Sequence, residues 1–156
     1  MSIMVYGIIS HLDDETTRIF FRNKKVPDAN VVPSIYIPSL FQTLKSGDVV
    51  YVVCVNRFRT VSQLFQFGKF CMANGVSLHL LAQPYLDISG GRHWKLAYLN
   101  QMMQMVEVER RALGSMTKGF QMTNEQWDYV FRCFEVMNLE VLAQTFSADG
   151  VLKRGS

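Results

Sequence analysis

The sequence predicts an α/β fold: a mostly parallel central sheet of four to five strands flanked by helices, then a long C-terminal helix and a short helical tail. Three observations carry this reading. Residues Gly47-Asp48-Val49-Val50-Tyr51-Val52-Val53-Cys54-Val55 form a β-branched run too short to cross a bilayer, as expected of a strand buried on both faces. A helical apolar pattern follows at Val61, Leu64, Phe65, Phe67, Gly68, Phe70 and Cys71, and stops at Asn74-Gly75 before a second strand, Val76 to Ala82. Strands alternating with helical patterns are the signature of parallel βαβ units. Beyond Gly91, an uninterrupted amphipathic stretch runs from His93 to Lys118.

In chain order, Ile3 to Ile9 is a short apolar run that reads as the first strand and ends at Ser10. Asp13-Asp14-Glu15 suits a helix N-terminus, and Ser10 or Asp13 could cap such a helix. Thr17 to Arg22 fits either a strand or an amphipathic helical turn, and the polar stretch Asn23 to Asn30 is a loop. Val31 to Ile37 is interrupted by Pro33, which suits an edge strand. Pro38 to Leu44 reads as a short helix with proline in its first turn. The basic break Asn56-Arg57-Phe58-Arg59 falls where the Gly47 strand ends, the edge at which open α/β sheets place ligands.

The long helix shows Trp94, Tyr98, Leu99, Met102, Met103, Val106, Arg110 and Leu113 at three- and four-residue spacing. At 1.5 Å per residue it would span about 39 Å, more than a domain of this size needs, so Leu99, Met102, Met103, Val106 and Leu113 are expected to pack on a second copy. The tail restarts at Thr123-Asn124-Glu125-Gln126, a capping signature, and continues as an apolar face through Trp127, Val130, Phe131, Phe134 and Met137. Leu139 to Phe146 would form a second short helix. A helix-turn-helix is a poor fit, because only six residues follow Gly150 and the segment is acidic. The expected organisation is therefore a domain over 1–119, including the helix 93–118, with a helical tail over 120–156.

The chain of 156 residues is 49% hydrophobic and 19% charged, a globular composition without repeats or low-complexity tracts. No apolar run reaches membrane-spanning length, and the start lacks a secretory signal pattern. Three cysteines, Cys54, Cys71 and Cys133, lie in apolar patterns and match no zinc spacing, which points to a reduced, cytoplasmic setting and to no metal and no cofactor. The net charge of +3 is uneven: residues 1–119 carry 13 Lys/Arg against 8 Asp/Glu, whereas 120–156 carry 3 against 5. The front of the chain suits a polyanion better than the tail does.

The order Tyr6-Gly7-Ile8-Ile9-Ser10, Gly47-Asp48, Asn56-Arg57-Phe58-Arg59, Gly75-Val76, Asp87 with Gly91-Arg92, and Glu109-Arg110-Arg111 resembles the catalytic domain of serine recombinases, the resolvase and invertase family. That resemblance implies a resolvase-like, flavodoxin-like three-layer fold, a homodimer through helix 93–118, and DNA as partner. It also implies site-specific recombination or integration: strand breakage and rejoining through a serine–phosphodiester intermediate with no divalent ion. Mapped onto this chain, Ser10 is the nucleophile, Arg57, Arg59 and Arg110 stabilise the phosphate, and Tyr6, Asp87 and Glu109 support them. Such chemistry suits these residue types, because serine needs activation and guanidinium groups hold phosphate oxygens by paired, charged hydrogen bonds. The chain departs from the family at Ile8, where an arginine is usual, and has no arginine between Arg22 and Arg57. Each missing contact would cost about 2–4 kcal/mol in the transition state, together about a thousandfold or more in rate. Two readings follow: a DNA-binding recombinase with weakened or lost activity, or a catalytically inactive resolvase-fold dimer in protein interaction or regulation. A small-molecule binder at the strand ends is a third, without a glycine-rich phosphate turn to support it.

Overall fold

The computed structural model describes residues 3–89, 95–113 and 121–149. Four strands, β1 (Val5–Ile9), β2 (Val31–Pro33), β3 (Val49–Val52) and β4 (Ser77–Leu80), form one sheet in the order β2-β1-β3-β4, every pair parallel. Beyond β4, Leu78 and Ile88 exchange an antiparallel bridge, so the chain returns along that edge. The order reverses between β1 and β3, and the carboxyl ends of these two strands therefore border the crevice of the sheet. In register, Val5 faces Val49 and Ile8 faces Val52.

Side chains alternate across a strand, and the burial follows that period. Ile8, Val50, Val52, Leu78 and Leu80 are essentially inaccessible and share one core with residues of several other segments. Those segments include α2 (Ile37–Thr43), α3 (Val61–Asn74), α4 (Lys95–Leu113) and α5 (Asn124–Asp149). On the opposite face lies α1 (Glu15–Asn23), whose Phe21 ring sits so close to Gly7 that a Cβ there would meet it at 2.8 Å. Thus Thr17 to Arg22 is helical, with the Asp14 side chain accepting from Thr16 N at 2.9 Å as N-cap.

The β3 run was expected to be buried on both faces. Instead Val49 and Tyr51 are half-buried, and Tyr51 meets Phe20 of α1 edge-on and stacks on His79 at the border of an open cleft. The strand also ends at Val52, earlier than the apolar run, and the chain turns through a 3-10 segment at Val55–Arg57. Val31–Pro33 is the edge strand, as its proline requires, and Ile37–Thr43 carries proline in its first turn. Gly75 ends α3 in the left-handed region at φ 69°, where a side chain would be strained.

Helix α4 packs along α3 and is flanked in turn by α5. Its Met102, Met105 and Val108 are buried in the core of their own chain. Of the stripe assigned to a second copy, Leu99 and Val106 are half-buried against that same core and Met103 is 58% exposed. The side chain of Leu113, and residues 93–94 and 114–118 of the expected helix, lie outside the described residues. The tail does not break into two helices: α5 is continuous, since no glycine or proline occurs between Asn124 and Asp149. Trp127, Val130 and Phe134 of α5 are buried. Thr123 and Gln126 cap it reciprocally, Gln126 N donating to Thr123 Oγ1 at 3.1 Å and Thr123 N to Gln126 Oε1 at 2.8 Å. Among the described residues, no helix is long and apolar enough to cross a membrane.

Candidate functional site

Ser10 follows β1 and Arg57 follows β3, so the parallel sheet delivers both to its carboxyl edge at the reversal of strand order. They line one cavity of 370 Å³ together with His11, Ser34, Asn56 and Asn124. The cavity is closed on one side by the entry to α5. There Met122 N donates to the Arg59 carbonyl at 2.8 Å, Gln121 Nε2 to the Phe58 carbonyl at 3.2 Å, and Asn56 Nδ2 to Asn124 Oδ1 at 2.9 Å.

Asp13 organises this edge. Its Oδ2 accepts from the Ser10 backbone N–H and from Arg57 Nε, both at 2.9 Å. Its Oδ1 accepts from the other side of the same guanidinium and from Thr17 Oγ1 at 3.0 Å. Arg57 also donates through Nη1 to Asn56 Oδ1. The ion pair is sheltered: the Arg57 and Asp13 side chains are 8% and 0% exposed. Burial pushes the Asp13 carboxyl up, but the bonds from Arg57, Ser10 and Thr17 and the guanidinium charge outweigh it, and the net shift is downward. Of the five guanidinium N–H groups of Arg57, three are engaged, and its charge is balanced by a carboxylate rather than left open to a phosphate.

Ser10 sits in a turn: its Oγ accepts from Leu12 N at 3.1 Å and its carbonyl from Asp13 N at 3.1 Å. The helix cap is Asp14, one residue beyond the candidate Asp13. The two other arginines assigned to the site, Arg59 and Arg110, are elsewhere. Arg59 is exposed, and neither it nor Arg110 lines the cavity. The Arg110 side chain is 68% exposed on α4, where it pairs with Glu107, as Arg111 also does at 3.1 Å. Ile8, where the family has arginine, is fully buried in the core.

The supporting residues have structural partners. Glu109 is 1% exposed and reaches the start of α3, accepting from Val61 N at 2.6 Å and Ser62 Oγ at 3.0 Å. Tyr6 is buried in the core; burial, with the nearby Asp48 charge, raises its pKa. Asp48 itself ties two loops, accepting from Met4 N at 3.0 Å and Lys45 N at 2.8 Å. Asp87 lies at a different cleft, on the half-covered sheet face. It accepts from Leu80 N at 2.7 Å and holds His79 Nδ1 at 3.1 Å, while His79 stacks on Tyr51.

Sequence reading missed the Asp13–Arg57 pair and the His79–Asp87 pair. The first had a signal: Asp13-Asp14-Glu15 holds one carboxylate more than a cap uses. The second had none, because pairing across a loop depends on where β4 ends. Burial pushes the Cys71 thiol up to about 12, which removes it as a nucleophile. Among the described residues, no three His, Cys, Asp or Glu side chains are grouped to hold a metal. No protein-family model matches the chain, and a search of curated proteins finds no match.

Proposed function

We propose that this chain is a serine-recombinase-like protein that keeps the serine–arginine edge of that family but not its strand-breaking chemistry, and acts in protein interaction or regulation. The supporting observation is the Asp13–Arg57 pair. Among the described residues, Arg57 is the one arginine lining the cavity with Ser10, and it is held by a sheltered carboxylate, so these residues leave no excess positive charge of the kind a phosphodiester in its transition state requires. Arg59 and Arg110 do not supply it. Among the described residues, no group accepts the proton of the Ser10 hydroxyl, and its oxygen is engaged by Leu12 N. In this reading the dimer contact uses the outward side of α4, where Met103 is exposed, because Met102 belongs to the core.

The reading is tested by titrating duplex DNA at low salt. It expects no measurable affinity for wild type. Tight binding that weakens with salt and is reduced in Arg59→Ala and Arg57→Ala would contradict it. The Arg59 variant keeps the test readable, since Arg57→Ala also strips Asp13 of its partner.

One observation favours a second reading, a DNA recombinase: Ser10 and Arg57 do share a cavity at the strand-order reversal. For this enzyme to act, Arg57 must leave Asp13 and other cations must close on the cavity. Its signature would be a covalent serine–DNA adduct on Ser10.

A further inference from the structure

The cleft that holds Asp87 has a volume of 270 Å³ and shares no lining residue with the serine–arginine cavity. Its floor is Tyr51 and His79, which face each other in register across β3 and β4. Leu78 and Leu80 are buried in the core, so the alternation of the strand turns His79 to the opposite face of the sheet. One wall is the end of α1, with Phe20 and Lys24, and the other is the segment after β4, with Pro84 and Asp87.

His79 is fixed in orientation and in tautomer. Its ring stacks on Tyr51 with centroids 5.3 Å apart, and its Nδ1 lies 3.1 Å from Asp87 Oδ2. The other oxygen of Asp87 accepts from Leu80 N at 2.7 Å. A carboxylate only accepts, so the shared hydrogen belongs to Nδ1, and the free lone pair of the neutral ring is on Nε2. Among the described residues Nε2 has no partner, and Trp127 Nε1 is the one buried side-chain nitrogen or oxygen in that state. Nε2 is therefore open to solvent, on a side chain that is 35% exposed and lines the cleft. Lys24 adds a cation: its Nζ lies 5.8 Å and 5.7 Å from the ring centroids of Phe20 and Tyr51. Among the described residues no carboxylate pairs with it.

An imidazole whose far nitrogen is held by a carboxylate is an activated nucleophile, and a lone ammonium beside it draws an anionic electrophile. We propose that His79 accepts a phosphoryl group on Nε2 from a small phosphodonor of the phosphoramidate or acyl-phosphate class. The Nε2 lone pair attacks phosphorus and a nitrogen–phosphorus bond forms. The bond to the leaving group breaks with its electron pair, which departs as ammonia from a nitrogen already protonated, or as a carboxylate. The hydrogen on Nδ1 stays in place, and the Asp87 charge balances the positive charge that the ring acquires. Asp87 is thus a positioning residue, and Lys24 attracts the phosphoryl oxygens. The step uses neither Ser10 nor Arg57.

The test incubates the full chain with phosphoramidate and reads attachment by mass and by phosphorus NMR under alkaline conditions, where a nitrogen–phosphorus bond survives. Wild type is expected to gain a phosphoryl group on His79, linked through Nε2, about tenfold faster than on His11. His11 is exposed and serves as the unassisted reference within the same chain, so this comparison stands whether or not a variant folds. Asp87→Asn presents an amide N–H to Nδ1 and moves the ring hydrogen to Nε2. It should slow labelling of His79 about tenfold or more, and nitrogen NMR of that ring should report the other tautomer. Lys24→Gln, at an exposed position, should slow it about threefold and leave the His11 rate unchanged. Absence of a phosphoryl group on His79 would overturn the proposal, as would labelling no faster than on His11 or attachment through Nδ1. So would an undiminished rate in Asp87→Asn or in Lys24→Gln.

Discussion

At the residue scale, the identity of Arg57 decides less than its neighbour does. A guanidinium at the carboxyl edge of a parallel sheet reads as a phosphate clamp from sequence, and Asp13 turns it into a sheltered ion pair. Breaking such a pair from one side leaves a buried charge uncompensated. Arg57→Ala and Asp13→Ala should therefore each lower stability by about 3–5 kcal/mol. The double variant should lose less than the sum, measurable by urea denaturation as a double-mutant cycle. The carboxyl of Asp13 is held below its ordinary value, so its contribution is present above the unfolded pKa and lost as pH falls through the folded one. Wild type should lose stability below about pH 4 by an amount that Asp13→Asn does not show. Glu109 belongs to the same scale. It bonds Val61 N and Ser62 Oγ from a distant helix, and Glu109→Ala should cost about 1–3 kcal/mol in the same assay. On the same helix Arg110 lies on the exposed side with Glu107.

At the element scale, most boundaries were legible because their chemistry is local. Gly75 supplies the left-handed residue that ends α3, and Pro33 confines β2 to the sheet edge. The capping signature at Thr123 is formed on both sides, so Thr123→Ala should lower the melting stability by about 1 kcal/mol. What could not be read locally was which side each element shows to its neighbours. Tyr51 and Val49 look like core in the sequence, yet both are only half-buried. The Met-rich face of α4 reads as a seam between copies; in one chain Met102 and Met105 join the core, while Met103 stays exposed. Periodicity identifies an apolar face; it does not say who covers it.

At the scale of the whole molecule, strand order was the consequential result. Four parallel strands in the order β2-β1-β3-β4 bring residues 47 positions apart, Ser10 and Arg57, to one cavity. The alternation of strands and helices along the chain foretold that edge, whereas the acid that neutralises it was hidden in a helix-start motif. If the protein pairs through the outward side of α4, sedimentation should give a dimer that Met103→Glu converts to monomer. Equal mass for both variants would contradict that contact. The central claim, that this edge keeps the layout of a strand-breaking site without its chemistry, is tested most directly by incubating the protein with supercoiled DNA and looking for a covalent adduct on Ser10. The account predicts no adduct and no nicking for wild type, the same as for Ser10→Ala. An adduct formed by wild type and abolished by Ser10→Ala would contradict it.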